Sequence, residues 1–266
     1  MNIQSVMPGK INKIIIFYSE KDIAGKNIAM AFEKIFSNPE VKLLSTADDI
    51  VYSNIENISR KERPDFVIFA SRHASYKHEK LLTCHPIGNF SRAELGGNDY
   101  SLCQTNAFML KKAIISLNKN CPYNYEARIE ETHHGPYCDV PCMFMEVGTT
   151  EEEWNDRVAC EAVAKSVVDV INCKDNYNNI KESAIGIGGL HSSSKFLEIM
   201  LETGYAIGHI CPKYMNKLLS EKMMQEMIEK TIPQPKTIFF DWKSTENKQE
   251  LLRIAEKTGL VVKKLR

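Results

Sequence analysis

Residues 66–73, FVIFASRH, have the composition of a buried β-strand that passes into small and polar residues and ends in a histidine. Four other stretches repeat this order: KLLTCH (80–85), ARIEETHH (127–134), AIGIGGLH (184–191) and YAIGH (205–209). In an open α/β sheet, ligands bind outside the carboxyl ends of the strands. If these strands are parallel neighbours, the sequence predicts that their histidines converge on one chemical site.

Six of the seven histidines follow runs of this kind, namely His73, His85, His133, His134, His191 and His209. The seventh, His78, lies in the polar stretch SYKHEK, which favours a solvated surface position. For His85 and His209 it stays open whether the imidazole only hydrogen-bonds a turn. Because adjacent side chains in an extended turn point in opposite directions, one ring of the His133 and His134 pair can face the site.

Strand-like and helix-like segments alternate along the chain, which predicts an α/β fold with a mixed, largely parallel central sheet flanked by helices. Thr150 and Glu153 form a capping-box pattern, which predicts a helix over residues 151–171. Further helices are predicted over residues 25–36, 105–117, 214–230 and 246–258, and strands over 14–18 and 260–265. The length of 266 residues is compatible with a single domain, residues 1–266.

The charge balance limits the possible partners. The 34 basic and 34 acidic side chains cancel, so a polyanion would need a local basic patch, and neither DNA nor a membrane surface is indicated as a partner. No apolar run is long enough for a membrane helix or resembles a signal peptide, which predicts a cytoplasmic protein. The eight cysteines lack regular spacing and are therefore expected to be reduced thiols.

Familiar catalytic motifs, including HExxH, CxxC pairs, Walker A and GxSxG, are absent from the sequence. A site must therefore be assembled in space from separate segments. Histidines and carboxylates at strand ends can hold a zinc-like ion or act as general base and acid, and either role supports hydrolysis. Glu146 ends a strand-like run. It can belong to such a site, or it can be only a carboxylate at the start of the following helix. Cys138 and Cys142 are better interpreted as packing residues.

Basic residues adjoin the same turns: Arg72 precedes His73, and Lys195 and Lys213 each follow a histidine by four residues. They form either a solvated rim or contacts to a phosphate-bearing substrate. Residues 192–194 are serines at the predicted start of a helix, where backbone amides bind anions.

Six motifs can now be taken together: SRHAS (71–75), LTCHPIGNF (82–90), THHGP (132–136), MEVGTTEEEW (145–154), GIGGLHSSSKF (186–196) and GHICPKY (208–214). In order and wording the chain resembles the archaeal and plant D-aminoacyl-tRNA deacylase family, which is unrelated in fold to the bacterial D-tyrosyl-tRNA deacylase. The resemblance implies a phosphorylase/hydrolase-like fold, zinc as cofactor, and hydrolysis of the ester between a D-amino acid and the 3′ end of tRNA. Cys84 and the Cys138 and Cys142 pair depart from the family pattern.

The resemblance places the family's histidines on the six histidines of the strand ends, its acidic residue on Glu146, and its glycine turn on Gly188 and Gly189. From both lines of evidence we expect the catalytic residues to be among His133, His134, His191 and Glu146. The expected substrate-binding residues are Arg72, His73, Gly188, Gly189, Ser192, Lys195 and Lys213. A subset of His73, His85, His134, His191 and His209 is expected to bind Zn²⁺, and amides of the glycine turns to stabilise the oxyanion.

Two other functional classes stay open at this stage. One is a different metal-dependent hydrolase or phosphorylase acting on a nucleoside or an amide, since one fold hosts many reactions. The other is a non-catalytic tRNA-binding module, which would bind tRNA with strong salt dependence but release no amino acid. The sequence leaves open whether the protein is a monomer or a homodimer.

Overall fold

The computed structural model of the protein describes residues 11–173, 178–190 and 193–266. Within these ranges the strands are β1 (Ile14–Ser19), β2 (Val41–Thr46), β3 (Phe66–Ala74), β4 (Leu81–His85), β5 (Gly88–Asn89), β6 (Ser101–Leu102), β7 (Thr105–Asn106), β8 (Glu126–Ile129), β9 (Cys142–Thr149), β10 (Glu182–Ile187), β11 (Tyr205–Cys211), β12 (Thr231–Ile232), β13 (Thr237–Asp241) and β14 (Val261–Leu265). The helices are α1 (Ile23–Ile35), α2 (Ile55–Glu62), α3 (Ala107–Asn120), α4 (Glu151–Trp154), α5 (Arg157–Asn172), α6 (Ser194–Glu202), α7 (Glu221–Glu229) and α8 (Lys248–Lys257). None of these helices is long and apolar enough to cross a membrane.

The central sheet has six strands in the order β2-β1-β3-β9-β4-β8. All neighbouring strands are parallel except β9 and β4, which are antiparallel. This arrangement confirms the prediction of a mixed, largely parallel sheet with flanking helices. Strands β1, β3 and β9 are almost continuously apolar because both faces of the sheet are covered.

A second sheet contains four parallel strands in the order β11-β10-β13-β14. The sequence pattern predicted strands at β10, β11 and β14 but not at β13, and it placed them in one central sheet, so that part of the expectation was incomplete. The reason is that periodicity reports which residues are extended and buried but does not report which strands pair. One hydrophobic core includes side chains of both sheets, such as Ile68 of β3 and Ile207 of β11.

Helix α3 joins the two sheets, since it contacts β4 and β8 of the first and β11 of the second. Asn106 caps its start by accepting hydrogen bonds from the amides of Phe108 and Met109. The buried ammonium of Lys111 donates to the carbonyls of Met200 in α6, of Thr203 directly after α6 and of Tyr205 at the start of β11. It thereby satisfies carbonyls that the helix end would leave unpaired.

Two predicted helices are shorter than expected. The helix predicted over residues 151–171 is broken after Trp154, because Asp156 caps a new helix through the amides of Val158 and Ala159. Val158 is consequently exposed, although a single helix would have turned it inward. The methionine-rich helix begins only at Glu221, where Ser220 caps it. The capping box at Thr150 and Glu153 is confirmed.

Candidate active site

The site lies on one face of the six-stranded sheet, around Glu146 of β9. Ser71 of β3 and Thr83 of β4 are the register partners of Glu146 on its two sides. Because side chains alternate between faces, residues two positions along each strand lie on this same face. They include His73 and His85. The opposite face, which contains Met145, packs in the core against helices such as α5.

The expectation that parallel carboxyl ends gather the histidines is wrong in one respect. Strand β4 runs antiparallel to β9, so His85 at its end lies beside Phe144 and not beside the end of β9. The histidines converge instead because side chains on the same face of β3, β9 and β4 lie opposite one another across the paired strands. The segment after β8 then crosses this face and adds His133 and His134, held by a bridge between Ile87 and His133.

The side chains of His73, Glu130 and Glu146 form the first half of the cluster. His73 Nδ1 lies 3.1 Å from Glu130 Oε1 and 3.7 Å from Glu146 Oε2. Glu146 also accepts a hydrogen bond from Thr83 Oγ1 at 3.3 Å and lies 3.8 Å from His85 Nε2. Glu130 Oε2 is 3.7 Å from His133 Nε2. The two carboxylates therefore connect this half to the histidine rings of the other.

Three imidazole rings, those of His85, His133 and His134, form the second half. The His85 ring stacks on His133 at 4.1 Å between centroids and on Phe144 at 4.9 Å, and His134 meets both histidines edge-on. Each Nδ1 donates to a backbone carbonyl: His85 to Pro86 at 3.0 Å, His133 to Glu131 at 2.7 Å and His134 to Gly135 at 2.6 Å. In the neutral form this fixes the tautomer and leaves each Nε2 with its lone pair.

This donor arrangement fits a metal ion. The ligand atoms of His85, His133 and His134 lie within 4.8 Å of one another, and so do those of His73, Glu130 and Glu146. His85 is fully buried, and its Nε2 has no hydrogen-bond partner among the described residues. An unpaired buried polar atom is costly, and a metal-binding histidine normally has its other ring nitrogen hydrogen-bonded as here.

The electrostatics divide the cluster into charged and neutral groups. Burial raises the pKa of Glu146, but the neighbouring His73 and His85 rings outweigh burial and hold the pKa well below its usual range. For His73 burial lowers the pKa, yet Glu130 and Glu146 raise it to about 10. Burial together with the neighbouring His85 lowers the pKa of His134 to about 4, so this ring is neutral at neutral pH and able to offer a lone pair.

Arg72 lies beside the cluster. It lines a cavity of about 370 Å³ together with His73, His134 and Glu146. Its guanidinium lies 5.4 Å from the centre of the Trp154 ring, a cation–π contact that orients the side chain. A substrate that reaches the histidines through this cavity would meet this cation at its rim.

His209 is not part of the cluster among the described residues. It lies within β11, and both ring nitrogens are occupied: Nε2 donates to the carbonyl of Cys103 at 2.9 Å, and Nδ1 accepts from Thr132 Oγ1 at 3.0 Å. Burial lowers the pKa of His209 to about 3. A ring with both nitrogens hydrogen-bonded has no lone pair left for a metal, which argues against the expected metal role of His209.

The glycine turn and the two lysines also have partners. The amide of Gly188 donates to the Cys211 carbonyl at 2.9 Å, and that of Gly189 donates to Ser244 Oγ at 2.8 Å. These amides are therefore not available as oxyanion donors in this conformation, contrary to expectation. The two predicted cations, Lys195 and Lys213, lie 2.5 Å from Asp241 and 3.6 Å from Glu246 respectively. The remaining predicted residues, His191 and Ser192, lie outside the described ranges.

Glu130 was missed at the sequence level. It lies one residue beyond β8 and three residues before His133, so the stretch ARIEETHH held a signal. Neighbouring Glu131 is also buried, and burial raises its pKa to about 9. Cys138 and Cys142 pack in a hydrophobic cluster with Phe144, in agreement with their interpretation as packing residues.

A buried cluster of imidazoles and carboxylates beside an open cavity defines a class of protein, the hydrolases that activate water. The family model described as D-aminoacyl-tRNA deacylase matches residues 60–263. The D-aminoacyl-tRNA deacylase of Thermococcus kodakarensis is 36% identical over 235 residues, 85% of each chain. That of Archaeoglobus fulgidus is 31% identical over 270 residues, 94% of this chain and 95% of the relative. The chain belongs to the D-aminoacyl-tRNA deacylase family.

A solved structure has the same fold. The crystal structure of a conserved protein of unknown function, AF0625, is similar with a TM-score of 0.84 and 29% identity, covering 95% of both chains. The family's α/β architecture expected from the sequence is therefore confirmed over nearly the whole chain.

Proposed function

We propose that this protein hydrolyses the ester bond between a D-amino acid and the terminal adenosine of tRNA, releasing the free D-amino acid and tRNA. Membership in the deacylase family supports the reaction. The observation that carries the proposal is the histidine and carboxylate cluster beside a cavity of about 370 Å³ that is lined by His73, His133, His134 and Glu146. The cavity is of the size in which enzymes enclose small substrate groups.

We further propose that the site uses zinc, held by Nε2 of His85, His133 and His134. The carbonyl-bound Nδ1 atoms, the neutral His134 and the unpartnered Nε2 of His85 support this ligand set. When bound, a zinc ion lowers the pKa of a coordinated water toward neutrality and polarises a carbonyl oxygen.

The chain's own groups then have separate roles. His73, held between Glu130 and Glu146, carries a proton at neutral pH that can be donated to the ribose oxygen as the ester bond breaks. Glu146 positions both His73 and His85, since it contacts a nitrogen of each. Arg72 binds the negatively charged 3′ end of the tRNA at the cavity rim.

Steady-state deacylation of D-tyrosyl-tRNA and L-tyrosyl-tRNA tests the proposal. The wild-type protein should release D-tyrosine but not L-tyrosine, and His134→Ala should lower turnover by about 10²–10⁴-fold. The control is His78→Ala, because His78 is exposed and lies in the connection between β3 and β4, outside the cluster. Near wild-type turnover of His134→Ala would refute the assignment, and tRNA binding without release would favour a non-catalytic binding module.

Elemental analysis of the purified protein, with activity measured before and after chelation, tests the zinc proposal separately. We expect bound zinc that is lost from His85→Ala, and activity that returns when zinc is added back to the chelated wild-type protein. Full activity in a metal-free sample would leave the histidines as acid and base groups only. The single-domain organisation and the cytoplasmic location stay predictions.

A further inference from the structure

A second cavity adjoins the histidine pair, in addition to the cavity that contains Arg72. Its volume is about 260 Å³, and it lies between the loop after β5 and the turn after β11. His133, His134 and Leu95 line both cavities. We call them the Met215 cavity and the Arg72 cavity, each after a residue that lines it alone. A substrate whose reacting bond lies at the two histidines can therefore extend into both cavities.

The loop that bounds the Met215 cavity is fixed directly to the histidine segment. The amide of Gly88 donates to the His134 carbonyl at 3.0 Å, and the amide of Gly135 donates to the Leu95 carbonyl at 2.9 Å. Both hydrogen bonds join backbone groups, so they do not depend on side-chain conformation. This wall of the cavity is therefore held in place relative to the histidines before a substrate arrives.

The walls of the Met215 cavity are largely apolar. Phe90 and Met215 pack in the hydrophobic cluster that includes strands of the second sheet. Leu95 and Tyr214 also line the cavity, and they are 56% and 59% exposed despite their large apolar surfaces. Exposed apolar side chains that gather at a cavity next to a reactive cluster indicate an apolar ligand group.

Charge and size indicate which part of the substrate fits here. Among the described residues that line the Met215 cavity, the two with a fixed charge are Arg92 and Glu94, whose charges are opposite. The cavity therefore has no excess of positive charge that would favour a phosphate. Whole small-molecule ligands usually occupy about 300–1,000 Å³, so a smaller cavity suits one substituent of a substrate. The Arg72 cavity, at about 370 Å³, is the larger of the two.

We propose that the Met215 cavity receives the side chain of the D-amino acid, while the ester lies at the histidine cluster and the tRNA end lies in the Arg72 cavity. Leu95 and Tyr214 flank the side chain, and Ser91 and Met215 limit its size. The substrate class that fits is a D-amino acid with an aromatic or long aliphatic side chain. This inference rests on the proposed function, and it assigns a part of the substrate to each cavity.

Filling the Met215 cavity tests the assignment. The variant is Ser91→Phe, and kcat/KM is measured with D-tyrosyl-tRNA and with D-alanyl-tRNA. The wild-type protein should prefer the tyrosyl substrate by about tenfold or more, because the cavity buries its ring. Ser91→Phe should remove or reverse this preference. The matched control is Ser37→Phe, which should keep it, because Ser37 is exposed shortly after α1 and away from both cavities.

Tyr214→Ala is a second variant that does not challenge folding, because Tyr214 is already largely exposed. It should lower the preference for the tyrosyl over the alanyl substrate by about threefold, since a contact between aromatic rings is lost. The matched control is Tyr123→Ala, which removes a fully exposed tyrosine outside both cavities. If both variants reduce kcat/KM equally for the two substrates, a part of the tRNA common to both lies in the Met215 cavity and the proposal is overturned.

Titration with 3′-amide analogues of D-tyrosyl-adenosine and D-alanyl-adenosine provides a test that does not depend on catalysis. The wild-type protein should bind the tyrosyl analogue about tenfold more tightly, and Ser91→Phe should remove that difference. Equal binding of both analogues to the wild-type protein would overturn the proposal. If the wild-type protein discriminates the analogues but fails to deacylate D-tyrosyl-tRNA, the proposed reaction is wrong and the assignment of the Met215 cavity stands.

Discussion

Two fully buried histidines, His85 in the first sheet and His209 in the second, show how different the roles of the same side chain can be. His209 has both ring nitrogens hydrogen-bonded, whereas His85 uses only Nδ1 and leaves Nε2 without a partner among the described residues. Burial lowers the pKa of both rings, but at His85 the Glu146 carboxylate more than offsets burial and the pKa is raised. Burial alone therefore does not distinguish the two histidines, whereas the hydrogen bonding of the second ring nitrogen does.

The second sheet contacts the segment that carries His133 and His134 through His209 of β11. Thr132 Oγ1 donates to His209 Nδ1 and accepts from the amide of Ile210, while the Thr132 amide donates to the Ile210 carbonyl. Thr132 directly precedes His133 and His134, so β11 fixes the start of the segment that carries them. Through Thr132, the histidine of the second sheet contacts the segment that carries His133 and His134.

The largest expected effect comes from exchanging the two histidines for alanine. His85→Ala should reduce deacylation of D-tyrosyl-tRNA by about 10²–10⁴-fold, because it removes a group in the reacting cluster. His209→Ala should lower stability but retain at least about a tenth of the activity at a temperature where it is folded. Turnover and urea unfolding are measured on both variants. Equal losses of turnover would contradict the prediction that His85 is needed for activity and His209 mainly for stability.

A smaller effect is expected in the pH dependence of stability. The pKa of His209 is lowered from 6.5 to about 3 in the folded protein, so the unfolded chain binds its proton first as the pH falls. The contribution of the neutral His209 ring to the free energy of unfolding is complete above pH 6.5. It declines by about 1.4 kcal/mol per pH unit from there toward pH 3.

Urea unfolding at pH 7.0, 5.5 and 4.5 measures this decline. His209→Gln cannot titrate, and the difference between it and the wild-type protein removes the effect of the carboxylates, which are common to both. The wild-type protein should lose about 2–3 kcal/mol more than the variant between pH 7.0 and 4.5. Equal losses of unfolding free energy in the wild-type protein and in His209→Gln would show that the pKa of His209 is not lowered in the folded protein.

The smallest effect is expected from Thr132→Val, which keeps the shape of the side chain and removes its hydroxyl. The variant loses the hydrogen bond to His209 Nδ1 and the one from the Ile210 amide, which should lower the free energy of unfolding by about 1–3 kcal/mol. If β11 positions the catalytic histidines, turnover should also fall by a few-fold. Unchanged stability and turnover would contradict a supporting role for the second sheet.

Local features of the fold could be predicted because they depend on nearby residues. The apolar runs of β3 and β9, the capping box of Thr150 and Glu153 and the final strand are all found in the structure. The break after Trp154 was missed although Asp156 is a strong cap, because the apolar positions on both sides continue the helical spacing. Glu130 was missed because His73 becomes its neighbour only after strand pairing, although His133 lies three residues away in sequence.

The sequence by itself determined most of the longer strands and helices, the family and the histidines from which the site is built, since these depend on residue type and spacing. Only the tertiary structure decided that β4 runs antiparallel to β9, and therefore that Glu146, His73 and His85 meet on a face of the sheet. It also decided which imidazole nitrogens are open and which are satisfied. The physical reason is that a ring nitrogen's state depends on the carbonyl, hydroxyl or carboxylate that long-range packing places beside it.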